Sequence, residues 1–348
     1  MVLFYNLKRC KNNKTQIESY SFTKLMNNHY TKSIVEDILP SDDAFHGSPK
    51  HVSAEWWYFD AIFHNQYSAH IGFKTFSRKK IGMVSPNIQF YKDGKLVVNI
   101  SKRFLFRNFE TSKEIPIAKL FKKPVFEFNQ DSYNKTGEWI YNYKLKIGNN
   151  AVNLEFKGLT QGWKIETDKE SWTVALPKAI VSGEITVNGK KMNVNGIGYH
   201  DHNWNYSMLT VMNYGRGWYW GKIRSKSFVI VWANIIKSSK KSELVAVINQ
   251  DNKGYLNINP ENILFKAGNF SRINYKKIPK SFKIQINDKV KEKLVKVDVN
   301  MESQNFHYGK QLLADYWRYH VKSNGNISVG STTENLDNEV QIIEYLKY

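Results

Sequence analysis

From His51 onward the chain breaks into short runs of β-branched and aromatic residues set between Gly, Asn and Asp. The first half reads EWWYFDAIF, SAHIGFKTF, NIQFYKDGKLVVNI, EWIYNYKLKIGNNAVNLEFKGL and SGEITVNGKKMNVNGIGYH. The second continues with GWYWGKI, SFVIVWANI, ELVAVINQDNKGYLNI, SFKIQIND, KLVKVDVN, YWRYHVKSNGNISVG and QIIEYLKY. Residues of this kind suit a pleated, half-buried surface, and the punctuation suits tight reversals. Hairpin chemistry sits at KDGK from Lys92, GNN from Gly148 and VNGK from Val187, with DNKG and SNGN as further turn signals. The expected fold is therefore mainly β, a meander of antiparallel hairpins with few short helices that closes into a barrel or sandwich. No unit of roughly 20 to 50 residues repeats, which argues against solenoids and propellers.

At 348 residues the chain exceeds the roughly 100 to 200 typical of one domain, so two successive barrel-like domains are expected. The change of domain is placed between 178 and 206, giving an N-terminal domain over 45–190 and a C-terminal domain over 191–348. Residues 1–44, ending in the polar stretch that begins SIVEDILPSDD at Ser33, read as a lead-in.

Composition narrows the setting. One cysteine, Cys10, excludes an internal disulfide and fits a reducing compartment. The opening MVLFYNLKRCKNNK has an apolar run of only four residues, too short for a signal peptide, and FVIVWANII is strand-length where a membrane helix needs about 18 apolar residues. A cytoplasmic protein, peripheral to the membrane at most, is expected. Lys+Arg 51 against Asp+Glu 31 gives +20, but clusters are no denser than RKK (Arg78 to Lys80) and KSSKK (Lys237 to Lys241). A solvated basic surface accounts for this, with weak attraction to anionic lipid next. No helix-turn-helix, zinc-finger or RNP-type signature supports specific nucleic-acid binding.

Chemistry concentrates in GIGYHDHNWN, Gly196 to Asn205. Strand alternation puts His200, His202 and Trp204 on one face and Tyr199, Asp201 and Asn203 on the other. A His-x-His pair can supply two metal ligands, but His51, His64, His70, His307 and His320 are scattered, so no metal is expected. In EWWYFDAIF, Glu55, Trp57 and Phe59 share one face and Trp56, Tyr58 and Asp60 the other. Trp218 and Trp220 share a face of GWYWGKI; in DYWRYHV, Trp317, Tyr319 and Val321 alternate with Tyr316, Arg318 and His320. Few ionisable groups embedded in many aromatic rings describe an apolar pocket with a small number of polar anchors. The parts of other chemistries are missing: G-x-S-x-G, a P-loop, G-x-G-x-x-G after a strand, C-x-x-C and H-E-x-x-H do not occur.

EWWYFDA, followed about 140 residues later by GIGYHDHNW and then GWYWGKI, resembles the superfamily of bacterial carotenoid 1,2-hydratases and lipocalin-like fungal Diels-Alderases. The closing NGNISVGSTTENLDNEVQIIEYLKY resembles that superfamily's last strands, so the likeness covers most of 45–348. It implies two consecutive lipocalin-like (calycin) antiparallel β-barrel domains with a hydrophobic cleft, and a polyene or isoprenoid substrate. The hydratases protonate a double bond and add water, which needs a general acid and aromatic faces for the cation. By resemblance His202 and Trp204 match the His-x-Trp element of acid site and cation-facing ring. The superfamily's Tyr-x-Asp pair falls on Trp232-Ala233-Asn234, where both polar groups are absent.

The resulting expectation is a cofactor-independent hydratase-like enzyme with His202, Asp201, Trp204 and His200 at the reacting end. Glu55, Trp57, Tyr199, Trp218, Trp220, Trp232, Asn234 and Arg318 are expected to contact substrate. A pericyclic cyclase and a non-catalytic carrier of an apolar ligand are the alternatives, since all three use the same cavity.

Overall fold

The computed structural model describes residues 32–48, 51–79, 81–167, 170–207, 216–238, 241–273, 275–311 and 314–348. Cys10, most of the lead-in, Lys80 and Lys240 lie outside the described residues. Strands dominate, every paired strand is antiparallel to its neighbours, and the one described α-helix is Gln130–Thr136. None of the described helices is long and apolar enough to cross a membrane.

Two large sheets account for nearly all of it. Across the first, the strands run Lys95–Ser101, Ile81–Lys92, Tyr67–Arg78, Ser53–Phe63, Lys190–Ser207, Ser171–Val187, Asn150–Gly158, Ile140–Ile147, Lys123–Phe128, Ile117–Leu120 and Phe109–Thr111. Across the second they run Tyr255–Asn257, Ser242–Gln250, Phe228–Ile236, Gly217–Arg224, Thr332–Lys347, Ala314–Val329, Lys293–Gln311, Ser281–Val290 and Ile263–Gly268. Nearly every step in both is a hairpin. The exception that matters is Ser53–Phe63 beside Lys190–Ser207, which joins the two ends of the first half. Because Lys190–Ser207 belongs wholly to the first sheet, the chain changes sheets after Ser207 and not at 190/191.

The turn chemistry explains the meander. Asp93 and Gly94 (φ 52° and 73°) and Asn188 and Gly189 (φ 51° and 85°) form two-residue loops with both residues left-handed, the twist that matches paired strands. SNGN departs from expectation. It lies within Ala314–Val329, where the register shifts between Ser323 and Gly325. There Gly325 (φ 142°) runs so close to the adjoining strand that a Cβ would sit 2.0 Å from the Asp298 carbonyl oxygen. It is a bulge, and the reversal comes later, between Val329 and Thr332.

Each sheet curls around its own core. Trp57, Phe59, Phe73, Phe126, Tyr143 and Phe156 fill the first, and Trp232, Phe282, Ile284, Val299, Trp317 and Tyr319 the second. A third cluster forms where the sheets meet, from Tyr58, Trp163, Val174 and Tyr199 of one and Trp220, Val229, Val231 and Val247 of the other. The central strands are therefore buried on both faces. Lys178 stitches the contact, its ammonium donating to Asp251 at 2.9 Å and to the Lys226 carbonyl at 2.7 Å across the sheets.

Two glycines of GIGYHDHNWN are close-approach positions. A Cβ on Gly196 would lie 2.1 Å from the Ile62 carbonyl oxygen, whereas nothing lies within 4 Å of one on Gly189. Gly196→Ala should lower stability by about 1–3 kcal/mol in urea unfolding through enforced strand displacement, while Gly189→Asn, which tolerates the left-handed turn, should be close to neutral.

Candidate active site between the sheets

The strand pair Ser53–Phe63 and Lys190–Ser207 sets the geometry. Its register places Tyr58 opposite Asp201 and Trp57 opposite His202. Side chains of even and odd position then part company: one set enters the first core and the other faces the second sheet.

On the second-sheet side lies a cavity of about 230 Å³. Trp56, Tyr58, Trp172 and Tyr206 line it from the first sheet, and Trp218, Trp220, Ala233, Ile235 and Leu244 from the second. Asp201, Asn203 and Glu344 supply polar wall, with Glu170 and Glu243 beside them. This is the aromatic pocket with few polar anchors that the sequence pointed to.

Asp201 is 4% exposed. Its Oδ2 accepts from Trp172 Nε1 at 2.9 Å and from the Tyr199 hydroxyl at 2.8 Å, and its Oδ1 accepts from Asn203 Nδ2 at 3.3 Å. Burial dominates, however, and pushes the carboxyl up to about 7 against the hydrogen bonds of Trp172 and Tyr199, with the nearby Glu344 adding to the rise. Glu344 itself is held by the Arg318 guanidinium at 2.5 Å. Arg318 also sits over the Tyr58 ring, 5.3 Å from its centroid, and receives further support from the Tyr316 hydroxyl oxygen at 3.1 Å. Beneath Tyr58 and Tyr199, Lys222 of the second sheet is paired with Asp60 of the first, both buried, and Asp60 also accepts from the Tyr58 hydroxyl at 2.8 Å. Burial lowers the Lys222 ammonium to about 8 although Asp60 opposes the shift.

The opposite face holds a second polar cluster. His200 lies flat on Phe59 with centroids 3.7 Å apart, its Nδ1 at 3.0 Å from the Tyr58 carbonyl and its Nε2 at 2.9 Å from Asp43 Oδ2. Asp43 also accepts from the Tyr141 hydroxyl at 2.6 Å. His202 stacks on Trp57, and His46 stacks on Trp204 at 3.6 Å. Glu55 accepts from the backbone N–H groups of His46 and Gly47 at 2.8 and 2.9 Å. Burial would raise the Glu55 carboxyl, but His202 and His46 outweigh it and hold the group down at about 2.

His200, His202, Trp204, Glu55 and Trp57 do not line this cavity: Trp57 packs in the first core, His200 and His202 stack on Phe59 and Trp57, and Trp204 stacks on His46, whereas Asp201 lies on the cavity wall. Trp218 and Trp220 line the cavity, Tyr199 supports Asp201 from below, and Arg318 acts through Glu344. Trp232 faces the second core, since its neighbours Val231 and Ala233 take the inter-sheet face. Asn234 shares the alternation of Trp232, and its buried Oδ1 has no hydrogen-bond partner. His46 and Glu55 come within reach of His202 on the face opposite the cavity.

Sequence reasoning missed Asp43, His46, Trp172, Lys222 and Glu344. Glu344 carried a signal, a single acid in the apolar run QIIEYL at the alternation that faces the other sheet. Asp43 and His46 carried none, lying in a stretch without periodicity.

The comparisons agree on the fold. No family model matches the chain. An AttH-type protein of Nitrosomonas europaea superposes with a TM-score of 0.63 at 12% identity, covering 93% of this chain and 98% of that one. CghA bound to Sch210972 gives 0.62 at 9% identity over 90% and 97%. Kievitone hydratase of Nectria haematococca gives 0.51 at 11% over 90% and 93%. Among curated proteins, the quinolone epoxide rearrangement protein PenF of Penicillium thymicola is 30% identical over 79 residues, which is 23% of this chain and spans only 21% of PenF.

The buried pair beneath the cavity invites a stability test. Lys222→Met should cost about 3–5 kcal/mol in urea unfolding by leaving the Asp60 carboxylate buried without its cation, and adding Asp60→Asn should recover most of the loss. The chain has the mainly β, lipocalin-like fold of these structures.

Proposed function

We propose that this protein is an enzyme that delivers a proton to a hydrophobic substrate held between the two sheets, with Asp201 as the general acid. The observation that carries the reading is a carboxyl on the wall of an aromatic cavity whose burial keeps it protonated up to about neutral pH. Glu344, fixed by Arg318, is the second carboxylate. Two acids with contrasting surroundings, one desolvated and one ion-paired, divide the roles of proton donor and anionic partner.

In a hydration, the Asp201 proton would add to one carbon of a double bond while the π electrons form the new C–H bond. The cation left on the neighbouring carbon would face Trp172, Trp218 and Trp220, whose ring faces attract positive charge. Water adds to that carbon, and the proton it sheds returns to the Asp201 carboxylate. Two of the similar proteins, a kievitone hydratase and a quinolone epoxide rearrangement protein, are named for reactions that a well-placed acid promotes. A cyclisation would use the same wall, with the Asp201 O–H bonded to an activating carbonyl oxygen and the cavity folding the chain for attack.

The substrate is sought by mass spectrometry of organic extract bound to the purified protein, polyenes and isoprenoids being the expected class. A product one water heavier identifies hydration, an isomer identifies cyclisation, and return of the compound unchanged by folded protein that binds it defeats the catalytic reading in favour of a carrier. Asp201→Asn should lower turnover by about 10²–10⁴-fold. Wild-type rate should fall as pH rises through about 7, where Asp201 ionises. Because the folded-state value is raised from 3.8, the folded protein holds a proton that the unfolded chain has lost; stability should fall between those values as pH rises, and Asp201→Asn should remove that slope.

A further inference from the structure

The face of the strand turned away from the cavity carries a second constellation that the proposed reaction does not use. We propose that His46, Glu55 and His202 form a binding site for a divalent transition-metal ion, with Zn²⁺ the best match to two imidazoles and one carboxylate. The three side chains can each present a ligand atom within 4.8 Å of the others. His202 Nε2 lies 3.0 Å from Glu55 Oε1, and His46 Nδ1 lies 3.6 Å from the same oxygen. Ligands about 2.0–2.1 Å from a tetrahedral ion stand about 3.3 Å apart, so these separations bracket what one ion would impose.

The second observation is the state of His202. It is fully buried, and although Nε2 lies 3.0 Å from Glu55 Oε1 and Nδ1 lies 3.5 Å from Asp43 Oδ1, neither contact has hydrogen-bond geometry. Nε2 approaches Glu55 closely yet outside hydrogen-bonding alignment, as two ligands do when both aim at a third point between them. Leaving a buried imidazole unsatisfied is costly, and an ion resolves it.

Surrounding contacts have the form of a metal's supporting shell. Asp43 Oδ1 stands 3.5 Å from His202 Nδ1, the carboxylate–histidine arrangement that orients a ligating ring. The backbone N–H groups of His46 and Gly47 fix the Glu55 carboxylate, and Trp57 and Trp204 clamp the two imidazoles by stacking. His46, a quarter exposed, is the route by which an ion enters and a solvent molecule completes the fourth position. An ion here would tie the segment around His46 to the strands of Glu55 and His202.

The test is calorimetric titration of tag-free, chelator-treated protein with Zn²⁺ alone, paired with thermal melting. Saturable binding of one equivalent with a rise in Tm is expected, and His46→Ala should weaken binding at least tenfold. His46 is the variant of choice because it sits at the edge, and its unchanged circular dichroism would show that folding is intact. A Glu55→Gln variant, which keeps the shape and an acceptor for one of the two backbone N–H groups, should weaken Zn²⁺ binding likewise. Absence of stoichiometric binding by the folded wild type, or equal binding by folded His46→Ala and Glu55→Gln, overturns the site. Neither outcome touches Asp201, which lies on the other face and is judged by turnover.

Discussion

The register between Ser53–Phe63 and Lys190–Ser207 is the constraint on which the rest depends. Where they pair over Trp57–Ala61 and Gly198–His202 both strands are buried on both faces, so every side chain there is committed to the first core or to the contact between sheets. A slip of one residue would carry Asp201 into the first core and bring His202 onto the cavity wall. Apolar residues pack each side heavily enough to forbid this. Phe59 and Trp57 belong among aromatics on one side, Tyr58 and Tyr199 against Trp220 on the other. The position of Asp201 is thus a packing outcome before it is an electrostatic one.

Electrostatics then acts on what packing delivers. The inter-sheet contact buries Asp60, Lys222 and Arg318, a set of charges that costs stability unless paired. Each is paired: Asp60 with Lys222 and the Tyr58 hydroxyl, Arg318 with Glu344. Asp201 is the contrasting case, since its partners Trp172, Tyr199 and Asn203 are neutral donors. Neutral donors stabilise an anion less than a cation does, so desolvation prevails there and the proton stays. The difference between a structural carboxylate and an acid lies in which partner the neighbouring sheet offers.

How much of this was legible follows from the same period of two. The β class, the hairpins at Asp93–Gly94 and Asn188–Gly189, and the division of GIGYHDHNWN into two faces all came from local chemistry. Alternation states which residues share a face, but it does not state which face meets a cavity, because both are buried. His202, Trp204 and Asp201 were therefore expected together at the reacting end, whereas of the three only Asp201 lines the cavity and His202 stacks on Trp57 on the other face. Asp43 and His46 were illegible for a different reason. They reach the cluster through a turn over Pro40–Asp42 and a left-handed Gly47, which no periodic signal announces.

The cavity finally runs against the charge of the whole chain. A protein of +20 has Asp201, Glu344, Glu170 and Glu243 among the described residues lining this space, and no Lys, Arg or His among them. Arg318 and Lys222 lie beneath the wall with their charge directed to carboxylates. For the proposed reaction this partition has a consequence. Positive charge that develops on an apolar substrate meets aromatic faces and carboxylates, which attract it strongly where water is scarce. A cationic wall would instead oppose proton transfer and lower the value of Asp201. In the proposed reaction the aromatic lining would thus serve two ends at once, raising the acid by excluding water and receiving the cation that the acid creates.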